Sequence, residues 1–231
     1  MRLLSLITTA AVAATLATAP AAANDASHPT VVELYQSQGC SSCAPAIANI
    51  NAIAPRADVL ALTFAVTYWD QLGWKDTFAR PEFTRRQWDF AHALGRGNVA
   101  TPQTIVNGRQ VTNGGDRDQL IAAIRAADRG DGGPAIAASA GKVTIGRGTF
   151  RGPTTIWLVR YDPRPLAVPI RAGENGGRTI IHRNVVRALA RIGEWNGRPT
   201  TIAAPGAKPG LRSAILVQSG TGGPIIAAAR L

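Results

Sequence analysis

The chain is 231 residues long and 45% hydrophobic, with 25 Lys+Arg against 14 Asp+Glu and a formal net charge of +11. That length fits one large domain or two small ones around a real core, and nothing beyond residue 23 is long and apolar enough to cross a bilayer. The charge is divided, since residues 24–141 hold 10 Lys+Arg and 11 Asp+Glu whereas residues 142–231 hold 14 and 3. Two modules are therefore expected, nearly neutral first and strongly basic second.

Met1-Arg2 is a short basic start, Leu3 to Ala19 an apolar run, and Ala21-Ala22-Ala23 an A-x-A site with cleavage before Asn24. This is the pattern of a secretory signal peptide over residues 1–23, and it predicts export to the periplasm or beyond the cell. Nucleic acid is not an expected partner there. The basic second half suits an anionic envelope surface instead, such as lipid headgroups, acidic glycans or an acidic protein. The same excess would also serve solubility alone.

Val31-Val32-Glu33-Leu34-Tyr35 reads as a strand, followed by the polar turn Gln36-Ser37-Gln38-Gly39. Ser41 to Ala54 reads as a helix, with Pro45 in its first turn and Pro55 ending it. The apolar run Val59 to Val66 has the character of a central parallel strand. A second helix is expected from Pro81 to Leu94, with Phe83, Gln87, Phe90, Ala91 and Leu94 on one face and Gly95 closing it. Thr101–Val106 and Gln110–Thr112 flank Asn107-Gly108, a strong hairpin signal. Asp116 or Asp118 can cap a last helix running to Ala127.

Residues 29–130 thus read as an α/β domain of order β-α-β-β-β-α with a helical insert. Residues 131–140, opening with Asp131-Gly132-Gly133-Pro134, read as a linker. A smaller β-rich domain is expected over 141–231, with strands at 142–145, 154–161, 166–170 and 214–218. Residues 183–192 fit a strand or an amphipathic helix, because Arg183, Arg187 and Arg191 recur every four. Gly173-Glu174-Asn175-Gly176-Gly177 reads as a turn that dictates no chemistry by itself.

The only two cysteines form Cys40-Ser41-Ser42-Cys43 at a strand-to-helix junction. A thiol there meets free N–H groups and the positive end of the helix dipole, which favour a thiolate. Cys40 is the candidate attacking sulfur and Cys43, one turn on, the resolving one, with protein or small-molecule thiols and disulfides as partners. A structural disulfide is a second reading, although a four-residue loop contributes only about 2 kcal/mol. A copper(I) dithiolate or a non-catalytic module for a protein client is a third, and no cofactor or resident metal is expected. Glu33 is a candidate proton acceptor for Cys43 if it is buried near the dithiol. Tyr68, Trp69, Asp70 and Trp74, after the second strand, are candidates for the rim of the site, as substrate platform or as packing.

The CxxC at a helix start, with Thr101-Pro102 entering a later hairpin, resembles the thioredoxin and glutaredoxin superfamily. That resemblance implies a thioredoxin-like fold, with Pro102 cis against the dithiol and Thr101 before it. Gly114-Gly115-Asp116 is similar to the segment with which glutaredoxins hold a glutathione carboxylate. Ser41-Ser42 and Gly39 depart from the superfamily's usual dithiol surroundings, so redox potential and partner do not carry over. Over most of its length the chain looks like an uncharacterised family of secreted bacterial thioredoxin-like proteins, a domain of unknown function. The marks of that likeness are Glu33 through Cys43, Tyr68 through Asp76, and Gly173-Glu174-Asn175. It implies a fold and no activity.

Overall fold

A computed structural model describes residues 25–129, 132–150, 152–206 and 208–231. The expected signal peptide lies outside these residues, as do Gly130 and Asp131, and residues 136–139 of the expected linker form a strand instead. Strand β1 (Thr30–Gln36) runs parallel to β2 (Val59–Ala65), and every residue of both is buried. A 3-10 turn (Ser41–Cys43) and helix α1 (Ala44–Ile53) connect them. Alternation along β1 divides the core. Val32 and Leu34 pack with Ile47 and Ile50 of α1, whereas Val31 and Tyr35 pack on the other face with Leu60, Leu62 and Phe64.

Helix α2 (Pro81–Ala93) covers that other face with Phe83 and Phe90. It starts with proline where a missing N–H costs little, and Gly95 follows it at φ +66°. Strand β3 (Gln103–Val106) lies antiparallel to β1 and turns into β4 (Gln110–Thr112). Asn107 and Gly108 both have positive φ, as a type I′ turn demands, and a Cβ at Gly108 would sit 2.6 Å from the Gly223 carbonyl oxygen. Helix α3 (Arg117–Ala126) joins α1, with Leu120 and Ile124 buried, and the Asp116 carboxylate caps it by accepting from the N–H groups of Asp118 and Gln119.

The remaining strands are β5 (Ile136–Ser139), β6 (Lys142–Ile145), β7 (Thr154–Asp162), β8 (Leu166–Pro169), β9 (Thr179–His182), β10 (Val185–Gly193), β11 (Thr200–Ala203), β12 (Arg212–Ser219) and β13 (Ile225–Arg230). The basic stretch does not keep to a sheet of its own. Four of its strands extend the first sheet, giving the mixed order β13-β12-β7-β10-β2-β1-β3-β4. The junction is β10 against β2, where Val185 opposes Thr63, Asn184 accepts from Thr63 N–H, and the Asn184 side chain donates to the Ala61 carbonyl. Without β10 the almost wholly apolar β2 would be a bare edge. This decides the ambiguity at 183–192. A spacing of four is two strand periods as well as about one helical turn, and the need to cover β2 selects the strand. Strands β11-β6-β5 form a small second sheet around Val143, Ile145 and Trp195, and the β8-β9 hairpin lies against α1.

Candidate functional site

Cys40 and Cys43 form a disulfide where β1 ends and the α1 segment begins. The 3-10 turn is set by its own backbone, with Cys40 N–H donating to Ser37 O and Cys43 N–H to Cys40 O. Both cysteines are fully buried, in the cluster that α1 and β1 share, while Ser41 and Ser42 between them are exposed. The Ser42 hydroxyl lies 3.3 Å from the Cys40 sulfur. The Thr101–Pro102 peptide is cis. Because Gln103 opposes Tyr35, Pro102 falls beside Gln36, at the end of β1 from which the dithiol loop departs.

The aromatic segment after β2 lies against this loop. Trp69 packs on the dithiol cluster and donates its indole N–H to Thr101 Oγ1 at 2.6 Å. Trp74 donates to Gln38 Oε1 at 2.9 Å. Asp70 accepts from Asp76 N–H, and Asp76 in turn accepts from the N–H groups of Gln38 and Phe78. Burial pushes the Asp76 carboxyl up to about 6. Tyr68 turns elsewhere, its hydroxyl donating to Gln87 of α2. Trp74 is thus bonded to the dithiol loop and Trp69 to Thr101 beside it, while Asp70 reaches the loop only through Asp76.

Glu33 is buried but faces away from the dithiol. It lies on the α2 face of β1, in a two-point ion pair with Arg86, Nε to Oε2 at 2.7 Å and Nη2 to Oε1 at 2.8 Å. The Tyr35 hydroxyl also donates to it. The alternation that puts Val32 and Leu34 beside the cysteines puts Glu33 on the opposite side, which corrects its reading as a proton acceptor for Cys43. Gly114-Gly115 does approach the first turns of α1, since both carbonyls accept from the Asn49 amide. At Gly114, φ is +82° and a Cβ would collide with Thr104 Oγ1 at 2.2 Å, so only glycine fits. The N-terminal donors of α3, however, are already engaged by Asp116, a carboxylate of the chain itself.

Two residues that sequence reasoning left without a role complete the site. The turn between β8 and β9 reaches across to the dithiol loop as a strap. Glu174 Oε2 accepts from Ser41 N–H at 3.0 Å and from Ser41 Oγ–H at 2.8 Å, while the Asn175 amide donates to Gln38 O at 2.8 Å. Both contacts span more than 130 residues. The one signal for them was the Glu-Asn pair in an otherwise glycine-rich turn. Behind the strap His182 is buried against the Phe78 ring, and burial pushes its imidazole down to about 4. Among the described residues no group of three or more His, Cys, Asp or Glu gathers as a metal cluster. A cavity of about 570 Å³ lined by Arg109, Arg129, Phe150 and Trp195 lies near the N-terminal end of β1, where Arg129 donates to Pro29 O, away from Cys40.

Residues 31–218 match a family described as "Protein of unknown function (DUF1223)". Among solved structures, the X-ray structure of a protein from Agrobacterium tumefaciens is 31% identical, with a TM-score of 0.70 over 87% of this chain and 93% of that one. HBP35 of Porphyromonas gingivalis is similar at 10% identity, with a TM-score of 0.60 over 89% of this chain and 75% of that one, a likeness of fold. No curated protein matches.

Proposed function

We propose that this chain, which belongs to the DUF1223 family of proteins of unknown function, is an exported thiol–disulfide oxidoreductase working through Cys40 and Cys43. The carrying observation is the Cys40–Cys43 disulfide at the C-terminal end of a parallel strand and the start of a helix, with cis Pro102 immediately before the neighbouring strand. The order β1-α1-β2-α2-β3-β4-α3, with β3 antiparallel beside β1, supports a thioredoxin-like reading of this half. The leader-like residues 1–23 support export to a compartment in which disulfides persist.

In the reducing direction the Cys40 thiolate attacks one sulfur of a client disulfide, forming a Cys40–client bond and expelling the other client sulfur as a thiolate. Cys43 then attacks Cys40, closing the internal disulfide and releasing the second client thiol. The client gains two electrons and two protons, and the dithiol loses them. Clients are proteins or small molecules carrying thiols or disulfides. Exposed Ser41 and Ser42 are the part of the motif that a client meets first.

The test is to equilibrate the purified protein in glutathione buffers of graded redox ratio and count free thiols after an acid quench. Reversible interconversion of dithiol and disulfide, with a glutathione adduct at Cys40, is the expected result. A pair that stays oxidised at every ratio, with no adduct, overturns the proposal.

A further inference from the structure

We propose that Glu174 restrains the reactivity of Cys40, because its carboxylate occupies the backbone N–H that would otherwise favour a Cys40 thiolate; this rests on the thiol–disulfide reading and adds a positioning residue to it. The start of a helix normally lends its free N–H groups and dipole to a thiol at that place. Here the first such N–H, that of Ser41, is engaged at 3.0 Å, and the Ser41 hydroxyl is engaged at 2.8 Å by the same oxygen. A formal negative charge therefore sits at the residue adjoining Cys40.

The turn that carries Glu174 is held there from several sides. Asn175, fully buried, donates to Gln38 O, and Arg178 donates to Asn175 Oδ1. Gly176 N–H donates to Gly173 O, and Gly177 N–H to Ile170 O. Gly173 has φ +72°, and a Cβ there would meet Trp74 Cβ at 3.3 Å, so the strap is seated against the aromatic segment. Among the described residues no Lys or Arg lies within ion-pair distance of Glu174. Its carboxyl is held below the usual range by the Ser41 N–H and then by the Ser41 hydroxyl. Glu174 is thus ionised at neutral pH, with the start of the α1 segment as its partner. A thiolate forming at Cys40 would lose a donor and gain a like charge as neighbour. The consequence is a less acidic Cys40 and a dithiol that resists leaving the disulfide state. Displacing Glu174, as a client seated on Ser41 would do, returns the donor when attack requires it.

The test titrates the ultraviolet absorbance of the thiolate against pH in a Cys43→Ser background, comparing Glu174 with Glu174→Gln and Glu174→Ala. Gln keeps an oxygen to accept from Ser41 and removes the charge, while Ala removes both. The expected result is a titration midpoint lower by about one unit in Glu174→Ala, a roughly tenfold larger thiolate fraction below the midpoint, and lower by less in Glu174→Gln, which removes the charge but still occupies the Ser41 N–H. Unmoved midpoints in both variants overturn the proposal. So does a raised midpoint in either variant, which would make Glu174 a support of the thiolate. Absorbance needs no client and no reagent access, so this outcome is separable from failure of the oxidoreductase reading, which shows as absence of exchange whatever stands at 174.

Discussion

Replacing Glu33 by Gln strands the Arg86 guanidinium inside the protein. Arg86 is 3% exposed and Glu33 1% exposed, and two parallel hydrogen bonds of 2.7 and 2.8 Å join them. Arg86 also donates to Gln218 Oε1 and lies 4.9 Å from the Phe90 ring centre and 5.3 Å from that of Trp157. None of these partners supplies a countercharge. Removing one member of a buried pair costs about 3–5 kcal/mol, because the charge left behind has lost both water and partner. At roughly 2–4 °C per kcal/mol for a domain of this size, Tm should fall by about 6–20 °C. The assay is thermal unfolding followed by near- and far-ultraviolet circular dichroism, with coincident transitions as the check on two-state behaviour. Pairing Glu33→Leu with Arg86→Met should recover most of the loss, since apolar replacement of a buried pair is often neutral. The thiolate titration of Cys40 should not move in Glu33→Gln, because Glu33 lies on the far face of the sheet. Unchanged stability would refute the buried-pair account, and a shifted thiolate titration would return Glu33 to the dithiol's chemistry.

Three further outcomes follow from burial and loop length. The Asp76 carboxyl is raised from 3.8 to about 6 by burial, so it favours the folded state while protonated, and this contribution is lost as pH rises from about 4 to about 6. In a pH series of Tm values, wild type should lose up to roughly 3 kcal/mol relative to Asp76→Asn across that window, and parallel curves would contradict this. His182 has the opposite sign, since its imidazole is lowered from 6.5 to about 4 by burial. Its contribution is present above pH 6.5 and lost as pH falls toward 4, so His182→Leu should be less acid-sensitive than wild type in the same series. Reducing the Cys40–Cys43 bond opens a loop of only four residues, worth about 2 kcal/mol by chain entropy, so Tm should fall by about 4–8 °C. A fall several times larger, measured by calorimetry with and without reductant, would mark the bond as a structural staple.

Local chemistry carried much of the fold. The apolar run Val59–Ala65 could only be a buried strand, Asn107-Gly108 only a tight turn, and Asp116 a helix cap, and each lies where its residues direct it. Strand β13 was not legible, because half of Ile225–Arg230 is alanine, a poor strand former, and the run of apolar residues that remains is too short to signal a strand. The basic half reads as separate by charge, yet strand pairing answers to exposed N–H and C=O groups, and β10 joined β2 on that account. At the site, the dithiol and Thr101-Pro102 announced themselves by residue type. The face on which Glu33 falls did not, since apolar residues stand on both sides of it and its partner Arg86 is 53 positions away. Glu174 and Asn175 were out of reach for the same reason, as their contacts are made across the whole chain.

The most direct test of the account is the reaction of the reduced protein with a small disulfide, followed by mass spectrometry of the intact chain. Wild type should pass rapidly to the internal Cys40–Cys43 disulfide, Cys43→Ser should stall as a mixed disulfide on Cys40, and Cys40→Ser should react slowly at best. Equal, slow rates for all three, with no adduct held at Cys40, would contradict thiol–disulfide exchange at this site.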